Sequence, residues 1–185
     1  MNIYGRNVVL RAITMDDMQM ICDMFNDSEM EASVVGWAFP IALDQQISWY
    51  KEHMNDRDQH RFVIETPEYG AVGVMVLGDI DWKNRTAMHG IKLAKKEVRG
   101  KGIGTDALMA ILRYAFDELG MHRIESTILT NNKASIALHA QCGFKEEGIL
   151  RECVYKNGRY QDVYSISILE HEYRKLVQNN QYWNC

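Results

Sequence analysis

Proline and cysteine are scarce in this chain, and each scarcity excludes something. Two prolines in 185 residues, Pro40 and Pro67, leave no proline-rich linker, and no Gly/Ser-rich tract or repeat divides the sequence. A single domain over residues 1–185 is expected. That length buries about 70% of the unfolded surface without staples. The four cysteines, Cys22, Cys142, Cys153 and Cys185, make no CxxC pair and no Cys/His spacing of the zinc type. Neither a disulfide scaffold nor a zinc site of the Cys/His type is therefore expected. Long apolar runs are missing as well: nothing approaches the roughly 18 residues of a membrane span. The opening MNIYGRNVVLRA has no signal-peptide core. The expectation is a reduced, cytoplasmic protein without a membrane partner. Excess positive charge is also lacking, with 21 Lys plus Arg against 25 Asp plus Glu and a net charge of −4. That balance argues against a general nucleic-acid binder, which draws its affinity from neutralised phosphates.

What is present is a succession of short periodic segments. Val8–Ile13 reads as an opening strand. Thr14, with Asp17 three residues on, forms a capping-box pattern ahead of a helix that places Met18, Ile21, Cys22 and Phe25 on one face. Residues 27–43 lack clear periodicity and carry Gly36, Trp37, Phe39 and Pro40, an aromatic loop suited to packing or to lining a pocket. A second helix is expected from about Asp44 to Met54. Strands near Arg61–Thr66, Ala71–Ile80 and Arg85–Ala94 then form a meander. Helical spacing returns over Thr105–Glu118, strand character over Arg123–Leu129, and a short helix over Asn132–Cys142 with Gly143 at its C-cap. Asn157-Gly158 predicts a two-residue type I′ turn joining Arg151–Tyr155 to Tyr160–Leu169. The order implies α+β around one mostly antiparallel sheet, with a single parallel crossover after Gly104.

The most informative stretch is VRGKGIGT, Val98 to Thr105, between a strand and an amphipathic helix. Gly100, Gly102 and Gly104 allow a tight turn that directs successive N–H groups at one spot, and the helix start adds unpaired amides and its positive dipole end. That is an anion site suited to a pyrophosphate. Lys92, Lys95, Lys96, Arg99 and Lys101 face only Glu97 in this region, so an acidic protein carries a local basic cluster. A Walker A loop needs Gly-Lys followed by Ser or Thr, and Gly102 follows Lys101 here. The dinucleotide fingerprint needs a glycine where Thr105 stands, although Glu125 falls at the distance of a ribose-binding acid. A nucleotide-binding protein is thus a rival reading.

Arg99-Gly-Lys-Gly102-Ile-Gly104 resembles the Arg/Gln-x-x-Gly-x-Gly/Ala motif of the GNAT N-acetyltransferases. Downstream, Asn132-x-x-Ser135-x-x-Leu138-His139-x-x-x-Gly143-Phe144 resembles the family's Asn-x-x-Ser/Ala-x-x-Leu-Tyr-x-x-x-Gly-Phe segment. The stretch LRECVYKNGRYQDVYSISIL is similar to the C-terminal hairpin of the branch holding ribosomal-protein N-terminal and spermidine acetyltransferases. The resemblance implies a splayed, mostly antiparallel sheet of six or seven mixed strands flanked by helices, with acetyl-CoA wedged into the opening as co-substrate and no metal. It implies that the backbone of Arg99, Gly100, Lys101, Gly102, Ile103, Gly104 and Thr105 holds the pyrophosphate. Ile91 and Leu93 would lie along the pantetheine, and amides near Ile91 would polarise the thioester carbonyl. Asn132, with Ser135 as a weaker candidate, would contact the pantetheine arm.

Acetyl transfer to an amine requires that an ammonium be deprotonated, that the oxyanion be stabilised and that the departing thiolate be protonated. The family's tyrosine acid falls at His139 and its central-strand glutamate at His89, so both positions depart from the pattern. A histidine at a helix C-terminus is expected to have a raised pKa, which would make His139 an acid at neutral pH. Otherwise His139 fills the tyrosine's volume and water is the acid. His89, through a water, and Glu125 are rival bases. Cys142 shares the His139 helix, and packing is its expected role. Trp37, Tyr155, Tyr160 and Asp162 are candidate acceptor-binding residues. The leading expectation is an N-acetyltransferase acting by direct attack of a primary amine in a ternary complex. The acceptor is left open among a polyamine, a protein N-terminus, an amino sugar and an antibiotic, and so is a homodimer. Asp27, Glu29 and Glu31 are acidic, but Gly36–Pro40 lacks the acidic pair found near there in spermidine enzymes. Histidine at both catalytic positions keeps a second class in view, an acetyl-CoA-binding sensor or interaction module that has lost catalysis.

Overall fold

A computed structural model describes residues 1–36, 39–53, 55–56, 58–94 and 96–184. Trp37, one of the expected acceptor-binding residues, lies outside the described residues, as does Cys185. The strands are β1 (Ile3–Tyr4), β2 (Val9–Ala12), β3 (His60–Thr66), β4 (Gly70–Asp81), β5 (Thr86–Leu93), β6 (Arg123–Leu129), β7 (Lys145–Lys156) and β8 (Arg159–Leu169). They form one sheet in the order β1-β2-β3-β4-β5-β6-β8-β7. The β5–β6 pair is parallel and every other pair antiparallel, which is the expected α+β topology with its one crossover. The strand added to the seven read from sequence is the two-residue β1, too short to show a period of its own.

The helices are α1 (Met18–Asn26), α2 (Ser28–Ser33), α3 (Leu43–His53), α4 (Ile103–Arg113), α5 (Lys133–Gln141) and α6 (Glu170–Asn180). No described helix is long and apolar enough to cross a membrane. A 3₁₀ turn over Met15–Asp17 leads into α1, and Thr14 N–H donates to Asp17 Oδ2 at 2.7 Å, the backward half of the capping box. α2 arises inside the stretch without periodicity because Asp27 caps it, its side chain accepting from the N–H groups of Glu29 (2.8 Å) and Met30 (3.0 Å). Six residues are too few to display an amphipathic stripe. α4 starts two residues before the expected position and continues as a π-helical turn over Tyr114–Glu118. β7 begins six residues earlier than its alternation suggested. Its register shifts between Glu146 and Gly148 and again between Leu150 and Val154, and each shift breaks the period of two. Asn157 and Gly158 both have positive φ (52° and 75°), as a type I′ turn requires.

Two apolar layers cover the sheet. On one face Met18, Ile21 and Met24 of α1 and Met30 of α2 close over Val74, with Ile47 and Tyr50 of α3 packed beside them. On the other, Ala107, Leu108, Ala110, Ile111 and Leu112 of α4 are fully buried, and Tyr173 of α6 joins them. Each such leucine or isoleucine contributes about 1.5–3 kcal/mol. The alternation of β5 assigns its side chains to the two layers. Leu77 pairs with His89 and Met75 with Ile91 on the α4 face, whereas Val76 pairs with Gly90 and Val74 with Lys92 on the α1–α3 face.

Candidate functional site

β5 and β6 pair only through Thr86–Arg123, Ala87–Ile124 and Met88–Glu125, and then separate. At the point of separation Ser126 Oγ donates to the His89 carbonyl at 3.1 Å. Because N–H and C=O of one strand residue point the same way and alternate along the strand, the His89 carbonyl fixes the parity. Ala94 N–H, of the opposite parity, donates to Val72 O on the β4 side at 2.8 Å. The N–H and C=O groups of Ile91 and Leu93 are therefore aimed into the opening, where β6 no longer supplies partners. A cleft of about 1260 Å³ fills this opening and reaches from the α1–α3 side to the start of α4.

The expected anion cradle forms the far wall. Gly100 and Gly102 have φ of +76° and +78°, left-handed values that disfavour any residue with a Cβ. Gly102 is the N-cap of α4 and offers no side chain to cap it. The first helical bond of α4 runs from Asp106 N–H to Gly102 O at 3.0 Å, so the amides of Ile103, Gly104 and Thr105 precede the ladder and have no intrahelical acceptor. A Cβ at Gly100 or Gly102 would meet nothing within 4 Å, so these backbones face open space. The neighbouring cations are held in place: Arg99 Nη1 donates to Glu29 Oε1 at 2.8 Å, and Lys101 bonds the Tyr69 hydroxyl with its ammonium 4.5 Å from that ring's centre. Unpaired amides at a helix start are the chemistry that suits an anionic, diphosphate-bearing ligand.

The two histidines meet at the apex. His139 Nε2 lies 3.0 Å from His89 Nε2, and His139 Nδ1 lies 2.7 Å from the Ser135 carbonyl. A carbonyl only accepts, so His139 carries its proton on Nδ1 and its neutral Nε2 accepts from His89 Nε2–H. His89 Nδ1 is then a buried acceptor without a partner among the described residues. Phe144 packs against both rings, 5.1 Å between centres in each case. Burial pulls the His89 pKa well below the usual histidine value, aided by the neighbouring His139, and burial also lowers that of His139 against the Ser135 bond. This corrects the expected upward shift from the helix dipole: desolvation outweighs it, and the pair is neutral at pH 7.

The other expected residues divide sharply. Ile91, Leu93, residues 99–105, Asn132, Ser135, His89 and His139 all line the cleft. Both polar atoms of Asn132 are engaged within the protein, Oδ1 accepting from Ser135 N–H at 3.0 Å and Nδ2 donating to Ser33 O at 2.8 Å. Asn132 thus caps α5 and ties it to the end of α2. Glu125 does not line the cleft: Arg123 Nε donates to its carboxylate at 2.6 Å on the partly exposed side of β6. Tyr155 and Tyr160 are 62% and 63% exposed, stacked edge to face 5.1 Å apart near the hairpin tip, and neither lines the cleft. Asp162 likewise stays outside it, accepting from Glu152 N–H at 2.7 Å. Burial pushes the Cys142 thiol up to about 12, so it remains protonated and packs.

Two lysines were not singled out by the sequence reading. Lys156 at the end of β7 is buried, and its ammonium bonds the Glu31 carboxylate and donates to Glu31 O (2.8 Å) and Gly36 O (2.9 Å), pinning the segment after α2. Lys92, counted in sequence only as part of the basic cluster, lines the cleft on the α1–α3 face. Strand parity in β5 was the signal that separates it from the cradle.

Residues 7–145 match the sequence profile of the acetyltransferase (GNAT) domain. The spermidine N(1)-acetyltransferase of Vibrio cholerae is 31% identical over 166 residues, 90% of this chain and 95% of that protein. The putative ribosomal N-acetyltransferase YdaF of Bacillus subtilis is 38% identical over 101 residues, 55% of each chain. The crystal structure of spermidine N-acetyltransferase from Vibrio cholerae in complex with CoA and spermine superposes with a TM-score of 0.84 at 30% identity, covering 91% of this chain and 98% of that one. With a profile matched over most of its length and a splayed sheet of the same architecture, this chain belongs to the GNAT N-acetyltransferase family.

Proposed function

We propose that the protein moves the acetyl group of acetyl-CoA directly to a primary amine, with both substrates bound in the β5–β6 cleft. The observation that carries this reading is the conjunction, in one cleft, of an uncapped glycine-built helix start at one end and a buried histidine pair at the other. A relative solved in complex with CoA supports the cofactor, and the similarity to spermidine acetyltransferases supports an amine as acceptor. Acetyl-CoA supplies an activated thioester and a thiol leaving group. The amides of Ile103, Gly104 and Thr105 hold its diphosphate, and the inward N–H groups of Ile91 and Leu93 bind along its arm. An N–H at Ile91 stabilises negative charge developing on a carbonyl oxygen.

His139 is the proton-exchanging residue. With Nδ1–H fixed on the Ser135 carbonyl, its chemistry is confined to Nε2. Once the His89 N–H bond to it opens, His139 Nε2 takes up the proton that the attacking amine sheds and returns it to the departing sulfur, so the charge of the pair is restored at each turnover. His89 acts through His139, holding that Nε2 in position, and is a positioning residue.

Release of free thiol from acetyl-CoA with a panel of primary amines tests the reading. His139→Phe should lower kcat by about 10²-fold or more, with acetyl-CoA affinity by calorimetry changed less than about threefold. Wild-type turnover in that variant would remove His139 from the chemistry. Tight acetyl-CoA binding with no amine acetylated would favour the sensor reading instead.

A further inference from the structure

On the α1–α3 side of β5 the cleft is floored by Val74, Val76 and Gly90 and walled by Phe25, Trp49 and Arg61. A Cβ at Gly90 would meet nothing within 4 Å, so the strand leaves an open pocket over its own backbone beside the histidine position. The next residue on that face is Lys92, about 7 Å along the strand. Its ammonium lies 4.6 Å from the centre of the Phe25 ring, and among the described residues it has no carboxylate within ion-pair distance. Glu31, the nearest acidic influence on Lys92, is bonded to Lys156, whose own charge opposes Lys92. Arg61 on the same wall stacks 4.8 Å over Trp49 and already pairs with Asp56 at 3.5 Å, which leaves Lys92 as the cation without a carboxylate among the described residues of this wall. The lining carboxylates are committed elsewhere: Glu29 pairs with Arg99, and Asp106 accepts from Arg6 N–H, Asn7 N–H and the Tyr182 hydroxyl. A polycation needs acceptors along its length, and this wall presents donors.

We propose that the acceptor of this enzyme is a primary amine that also carries an anionic group, a carboxylate or a phosphate, which Lys92 binds while the amine lies over Gly90. The inference rests on the acetyltransferase reading above and names the acceptor class that it leaves open. Partial burial lowers the Lys92 pKa, so an anion seated there restores a charge partner that the fold does not supply.

The test compares matched acceptors by thiol release: butylamine against γ-aminobutyrate, glucosamine against glucosamine phosphate, and spermidine. At least one anionic member should exceed both its neutral partner and spermidine in kcat/KM by about tenfold or more, and the two pairs distinguish carboxylate from phosphate. In Lys92→Met that advantage should collapse through a rise in the acceptor KM, with the acetyl-CoA KM little changed, and Lys92→Arg should restore most of it. A preference for spermidine, or a selectivity ratio that Lys92→Met leaves intact, would overturn this inference while leaving the acetyltransferase reading standing. Absence of transfer to every amine by the wild type, with acetyl-CoA bound, would overturn both.

Discussion

Two imidazoles 3.0 Å apart under a phenylalanine ring leave no room for a second charge. His89 and His139 are identifiable from sequence separately, each by its place in a motif. Their contact spans 50 residues of chain, and no spacing rule announces it. The direction of their titration was not legible either, because it depends on burial that only the packed α5–β5 interface supplies. Both native pKa values lie below the unfolded histidine value of about 6.5, so the unfolded chain binds protons that the native chain refuses. The stability they contribute is complete above that value and is lost as pH falls through it toward the native pKa values. The melting temperature should accordingly drop on acidification below about pH 6.5, and His89→Gln/His139→Gln should flatten that slope. A slope unchanged in the double variant would assign the acid sensitivity to other groups.

α4 and its approach were the most legible elements, because glycines at 100, 102 and 104 leave few backbone alternatives. β6 was read with its observed bounds, since its alternating pattern is uninterrupted. The hairpin misled in a different way. Its tyrosines are acceptor-site candidates through the family resemblance, and the shifted register of β7 and the exposed tip leave them outside the cleft lining. Lys92 shows the opposite error, a residue absorbed into a charge cluster although β5 turns it to the other face. At the scale of α4, Gly102→Ala is the informative change. The left-handed φ costs about 1–2 kcal/mol, and the added methyl projects into the space before the helix start. Gly70→Ala carries a similar strain (φ +66°), also without a clash, in the β3–β4 turn. Both variants should lose similar stability, whereas Gly102→Ala alone should weaken acetyl-CoA binding, by about tenfold or more in calorimetry. Equal affinities in the two variants would separate the cradle from the cofactor.

Across the whole molecule, one sheet serves as two arms joined by a short parallel seam. The arm ending in β5 brings the inward amides, His89 and Lys92, and the arm beginning at β6 brings α5 with His139 and Asn132. Everything attributed to function depends on the opening that appears when these arms part after Met88 and Glu125. A co-crystal structure with CoA measures that dependence most directly. Diphosphate oxygens within about 3.2 Å of the Ile103, Gly104 and Thr105 amides, with the sulfur directed toward His139, are the predicted result. A diphosphate bound elsewhere, or a thiol end pointing away from the histidine pair, would contradict the account.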